Sequence, residues 1–97
     1  MSTLDTISLS NRERQALTAA AATLNDRFPV EQVVLFGSRA RGEGDAESDL
    51  DLLVLTTREV AWTERRAIVD ALFDVELAHD VVLSSLIVPG RQWRERV

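Results

Sequence analysis

The stretch VVLFGSRARGEGDAESDLDLLVL, from Val33 to Leu55, sets the frame for the whole chain. Two apolar runs, Val33–Phe36 and Leu50–Leu55, flank a polar loop. Each run reads as a buried strand. The loop opens on Gly37-Ser38 and closes on Asp49-Leu50-Asp51. A Gly-Ser step straight after a strand frees backbone N–H groups that can face an anion. Two carboxylates at i and i+2 on a strand point to the same side. A long loop between strands is a usual place for function, and a short helical turn is expected near Ser38 to Arg41.

Upstream of this stretch, Ser10-Asn11-Arg12-Glu13 has the pattern of a capping box. Leu17, Ala20, Ala21, Leu24 and Phe28 then recur at helical spacing. The pattern predicts a helix from Asn11 to Arg27 that stops before Pro29. Downstream, Trp62 to Ala78 reads as a second helix, with Thr63 as N-cap and Ala61, Ile68, Ala71, Leu72 and Val75 facing inward. Asp80-Val81-Val82-Leu83 reads as the start of a third strand, with Leu86–Val88 as its continuation or an extension past a bulge. Pro89-Gly90 makes a turn, and Arg91–Val97 the start of a helix. The expected fold class is α/β (α+β): a small mixed sheet of three or more strands flanked by two main helices.

The connections place the acids. The first two strands, joined by a loop, are expected as antiparallel neighbours. The second and third, joined by a helix, are expected to be parallel through a right-handed crossover. Asp80 would then start its strand as Asp49 and Asp51 start theirs. Three carboxylates and the Gly-Ser turn would meet at one sheet edge.

Composition bounds the rest. Ninety-seven residues suit one domain with a modest core, and 45% apolar content suits a folded chain. With no cysteine, neither a disulfide nor a thiolate metal site can form. The N-terminus lacks the basic and apolar regions of a signal peptide, and no apolar run approaches the ~20 residues that span a bilayer. A cytoplasmic location and no membrane partner are expected. The net charge of −5 argues against direct nucleic-acid binding, which needs a basic surface. It leaves room for a nucleotide, because a divalent ion supplies local positive charge. All 11 basic residues are arginines, so lysine-nucleophile chemistry is absent.

A convergence of acids and a phosphate turn suits metal-assisted phosphoryl or nucleotidyl transfer. Mg²⁺ takes oxygen ligands in octahedral geometry, commonly completed by phosphates and water. Two such ions can divide the work, one steadying the triphosphate and one lowering the pKa of an acceptor hydroxyl. Asp80 would share the second ion or act as general base. Gly37 lets backbone approach phosphate closely, Ser38 adds a hydroxyl donor, and Arg39 and Arg41 offer guanidinium to the phosphates. Taken singly, each of these features is ordinary: a turn, a solvated strand start, loop charges. Their order and spacing carry the signal. His79, Trp62 and the Glu64-Arg65-Arg66 cluster read as structural or surface residues, whereas Trp93 in its arginine-rich tail is a candidate for partner contact.

That order is similar to a known signature. Phe36-Gly37-Ser38, ten residues, then Asp49-Leu50-Asp51-Leu52 resembles the DNA polymerase beta-like nucleotidyltransferase superfamily. The run GSRARG…SDLDLLV resembles its minimal nucleotidyltransferase (MNT) branch, and more loosely so does the placement of Asp80. The resemblance implies that Gly37 and Ser38 hold the β- and γ-phosphates. It implies that Asp49 and Asp51 bind Mg²⁺ and that Asp80 is the third acid. It further implies an antitoxin that moves AMP from ATP onto a hydroxyl, a tyrosine, of a HEPN-type ribonuclease toxin, in a hetero-oligomer with that toxin. Two other readings are an antitoxin that masks its toxin without catalysis, and a nucleotidyltransferase acting on a small molecule such as an antibiotic. The chain departs from the resemblance at its C-terminus, where such proteins often continue.

Overall fold

A computed structural model describes residues 9–37 and 49–96. The described elements are α1 (Asn11–Arg27), β1 (Val30–Phe36), β2 (Leu50–Thr56), α2 (Trp62–His79), β3 (Leu83–Pro89) and α3 (Gly90–Arg96). The expected helical turn near Ser38 to Arg41 lies outside them. The strands form one mixed sheet in the order β1-β2-β3, with β1 antiparallel and β3 parallel to β2. The centre of the sheet falls to β2 because it is the most continuously apolar strand. Leu52 to Thr56 are all buried, as a strand covered on both faces requires.

Alternation along β2 decides what faces what. Leu50, Leu52 and Val54 join Leu83 and Ile87 of β3 in a core closed by α1 (Ala16, Leu17, Ala20, Leu24) and α2 (Ile68, Ala71, Leu72, Val75). Asp51, Leu53 and Leu55 therefore point to the other face. The small α1 residues let this helix lie close, and Ala16 and Ala20 are fully buried.

Both long helices are held at their ends by side chains. The capping box at α1 forms as the sequence predicts: the Glu13 N–H donates to Ser10 Oγ (3.1 Å), and Glu13 accepts from the Ser10 N–H (2.9 Å). At α2 the expected cap is corrected. The helix starts at Trp62, so Ala61 is the N-cap and Thr63 already lies inside. Ala61 is consequently exposed rather than inward. Glu64 closes this end, accepting from the Ala61 N–H at 3.1 Å and from both Arg58 guanidinium nitrogens at 3.0 and 2.7 Å. These hydrogen bonds, Arg58 first, lower the Glu64 carboxyl from its ordinary 4.5 to about 2.

Two strand boundaries also differ from the sequence reading. β1 begins at Val30 because Val30 pairs with Thr56 across a bulge that absorbs Glu31. The bulged Glu31 accepts from Arg94 of α3 at 2.7 Å, and its carboxylate lies where a side chain on buried Gly90 would collide with it. β3 begins at Leu83 and runs unbroken to Pro89 in register with Leu50–Thr56. It is one continuous strand, and Asp80 is not part of it. Arg91–Arg96 is helical as expected, and Trp93 is half-buried on that helix.

Candidate active site

The antiparallel register pairs Phe36 with Asp51, so the end of β1 lies beside the start of β2. Gly37 follows directly, with φ +80°. That left-handed backbone favours glycine, which has no Cβ to strain. Space demands glycine as well. A Cβ at Gly37 would collide with Asp51 Oδ2 and stand 3.2 Å from its Cγ. The glycine of the Gly-Ser step is thus packed against the second acid of the Asp-x-Asp pair.

Asp51 is half-buried, and Asp49 is exposed just before the strand. The strand start is pinned by the Leu50 N–H, which donates to the Val82 carbonyl at 3.0 Å. On the far side of Asp51 the parallel register places Ser84 of β3. The Asp51 carboxylate therefore lies between Phe36 and Ser84 on the sheet face away from the two long helices.

Asp80 is elsewhere. It ends α2 in the left-handed conformation (φ 55°, ψ 52°), and its N–H donates to the Glu76 carbonyl. Aspartate is among the few residues that visit this conformation. Its side chain is 94% exposed and pairs with Arg12 of α1 at 3.0 Å. The helix runs one residue further than periodicity suggests, to His79, and the left-handed cap turns Asp80 toward α1. Among the described residues, no three acidic or imidazole groups gather where they could hold a metal ion. Asp80 lies two residues before Val82, whose carbonyl accepts from the Leu50 N–H, so it stays at the Asp49 end of the sheet, but its side chain pairs with Arg12 rather than gathering with Asp49 and Asp51. β3 offers a hydroxyl, Ser84, at the position beside Asp51. Sequence reasoning missed Ser84 because only the β2–β3 register reveals it.

Of the other expected site residues, Gly37 stands where the sequence puts it. Ser38, Arg39 and Arg41 lie outside the described residues. Two carboxylates two residues apart, with one cleared of neighbouring Cβ atoms by a glycine, form a donor set that fits a hard divalent ion completed by phosphates and water. No described helix is long and apolar enough to cross a membrane.

Comparison with known proteins follows the same geometry. The family described as Polymerase beta, Nucleotidyltransferase matches residues 19–90. That span takes in Gly37, Asp49, Asp51 and all three strands. A curated protein of Methanocaldococcus jannaschii, provisionally named a protein adenylyltransferase, is 36% identical over 58 residues. The alignment covers 60% of this chain and 59% of that protein. The chain thus spans about three-fifths of the length of the curated relative it matches. No solved structure matches it significantly.

Proposed function

This chain belongs to the polymerase beta family of nucleotidyltransferases, and on that footing we propose that it transfers AMP from ATP to a hydroxyl on a partner protein. The observation that carries this reading is the meeting of Gly37 and Asp51 across the β1–β2 pair. A phosphate turn and a metal-binding carboxylate must touch if a triphosphate is to be held by both.

In this reaction Asp49 and Asp51 would hold the metal, Mg²⁺, while Gly37 and Ser38 would take the β- and γ-phosphates, with Arg39 and Arg41 as further phosphate ligands. Mg²⁺ bound there supplies charge neutralisation for the triphosphate and a lower pKa for the acceptor hydroxyl. The acceptor oxygen bonds to the α-phosphorus, and the bond from that phosphorus to the oxygen bridging to the β-phosphate breaks. Pyrophosphate leaves with the electron pair, and the hydroxyl proton passes to solvent. Gly37 keeps the side of Asp51 open so that phosphate can lie against it. Phe36 and Ser84 flank the acid on its two sides, and Asp80 serves the junction of α1 and α2 instead.

The acceptor is a HEPN-type ribonuclease toxin modified on a tyrosine hydroxyl, so the chain acts as an antitoxin in the cytoplasm. Support comes from the likeness of GSRARG…SDLDLLV to the minimal branch. The name of the Methanocaldococcus relative supports a protein as acceptor.

Labelled ATP, Mg²⁺ and a folded HEPN-type toxin that binds this chain test the reading. Label should pass to the toxin with the wild type and not with Asp49→Asn/Asp51→Asn. Absence of transfer to a folded, bound toxin overturns it. Neutralisation that survives the double substitution would mark a masking antitoxin, and label on an aminoglycoside would mark a small-molecule enzyme.

A further inference from the structure

The outer face of α2 is apolar along its length. Trp62, Val69, Phe73 and Leu77 are 68%, 47%, 54% and 68% exposed. Their spacings of seven, four and four residues place them on one side of the helix. Ile68, Ala71, Leu72 and Val75 fill the other side and face the core. The stripe runs about 22 Å at 1.5 Å per residue. Isolated exposed apolar residues are ordinary, but a contiguous row of large ones marks a contact surface.

The charges beside the stripe are segregated. Arg65 and Arg66 accompany its first half, and Arg66 lies 5.8 Å over the Trp62 ring. Asp70, Asp74 and Glu76 accompany its second half. A surface basic at one end and acidic at the other complements a reversed copy of itself. We infer that this stripe receives a second copy of the chain, α2 lying antiparallel on α2 across a two-fold axis near Val69 and Phe73. That arrangement brings Val69 of each copy toward Phe73 of the other, and Arg66 toward Glu76. A parallel arrangement would set like charges together. Self-complementarity of this kind is what an isologous interface requires. The Asp49 and Asp51 side remains open, because those acids lie beyond the sheet from α2. One helix face buries less than the roughly 1,200 Å² of a standard interface. The dimer is therefore a weak one, dissociating at micromolar concentration.

Sedimentation velocity on the full chain, from about 5 to 500 μM, tests this. A reversible monomer–dimer equilibrium is expected. Phe73→Glu/Leu77→Glu should raise its dissociation constant at least tenfold while leaving the circular dichroism spectrum unchanged, since both side chains are exposed. Arg66→Glu should also weaken the dimer, and Arg66→Glu/Glu76→Arg should restore it. A wild-type chain that stays monomeric across the range overturns the inference, as does a dimer indifferent to Phe73→Glu/Leu77→Glu. Failure of the charge reversal to restore association overturns the antiparallel arrangement. A monomer that holds a different protein through this face would reassign the surface to that protein and overturn the dimer.

Discussion

Asp51 and Asp80 look alike in sequence. Each borders an apolar run, and each can be read as an acid at the start of a strand. In the structure they differ in every respect that matters to chemistry. Asp51 is inside β2, half-buried, with Gly37 packed on its carboxylate and Phe36 and Ser84 on either side. Asp80 is at the end of α2, bathed in solvent, and pairs with Arg12 on the helical side of the molecule. A carboxylate's role here depends on the sheet face it occupies and on what the neighbouring strands set beside it. Proximity to a strand in sequence does not decide it.

The sharpest way to break this contrast is to neutralise the β2 pair. Asp49→Asn/Asp51→Asn is expected to lower AMP transfer about 10³-fold, the scale of losing charge stabilisation at the reacting phosphate. Stability should hold or rise, because two like charges at the strand start are removed. Initial rates with labelled ATP, beside urea unfolding, would check both. A rate within tenfold of wild type would remove Asp51 from the catalytic side of the comparison.

Gly37→Ala comes next. The substitution forces a side chain into a left-handed backbone, at a cost of about 1–2 kcal/mol, and into the space of the Asp51 carboxylate. Transfer should fall about 10²-fold, the loss that a 1 Å misplacement at a reacting centre can cause. The KM for ATP should rise, and the urea midpoint should drop modestly. A variant that lost stability but kept full transfer would show that the glycine serves only the turn.

Asp80→Asn is the reciprocal case. Transfer should stay within about twofold of wild type, since an exposed ion pair contributes little. Asparagine tolerates the left-handed cap, so thermal unfolding should shift by no more than about 2–4 °C. In a cycle with Arg12→Ala, the double variant should be no less stable than the worse single one, as expected when the two residues act only on each other. Loss of transfer comparable to that of the β2 pair would return Asp80 to the reacting set.

Much of this site was legible before any coordinates. The run Leu50–Thr56 is too continuously apolar to be anything but a central strand, and the Gly-Ser step and Asp-x-Asp pair announce themselves by spacing. The capping box at Ser10 and Glu13 fixed the start of α1 because its signal is local. What escaped was whatever depends on register or on the end of a helix. The bulge at Glu31 starts β1 three residues earlier than its apolar run, since Val30 pairs across two polar residues. Asp80 was misplaced because Val81-Val82-Leu83 reads as strand from the moment it begins. No local signal shows that α2 continues to His79 and needs a left-handed residue to stop. Ser84 is an ordinary serine until the parallel register sets it beside Asp51.

Glu64 offers the finest test, because it is an acid whose role is wholly structural and whose pH dependence has a defined sign. Its hydrogen bonds from Arg58 and the Ala61 N–H hold its carboxyl at about 2 in the folded chain, against 4.5 ordinarily. A group depressed on folding contributes stability above its unfolded value and loses it as pH falls through the folded one. Wild type should therefore exceed Glu64→Gln in urea midpoint at pH 7. The gap should narrow from about pH 4.5 downward and close near pH 2. The gap is expected to be small, because Arg58 and Glu64 are partly solvent-exposed. Added salt should narrow it at pH 7 as well, by screening the Arg58 contact while leaving the Ala61 hydrogen bond in place. A gap that stayed constant across this window would mean that it does not arise from the ionisation of Glu64. The charge at that end of the helix would then contribute nothing beyond the hydrogen bonds it accepts.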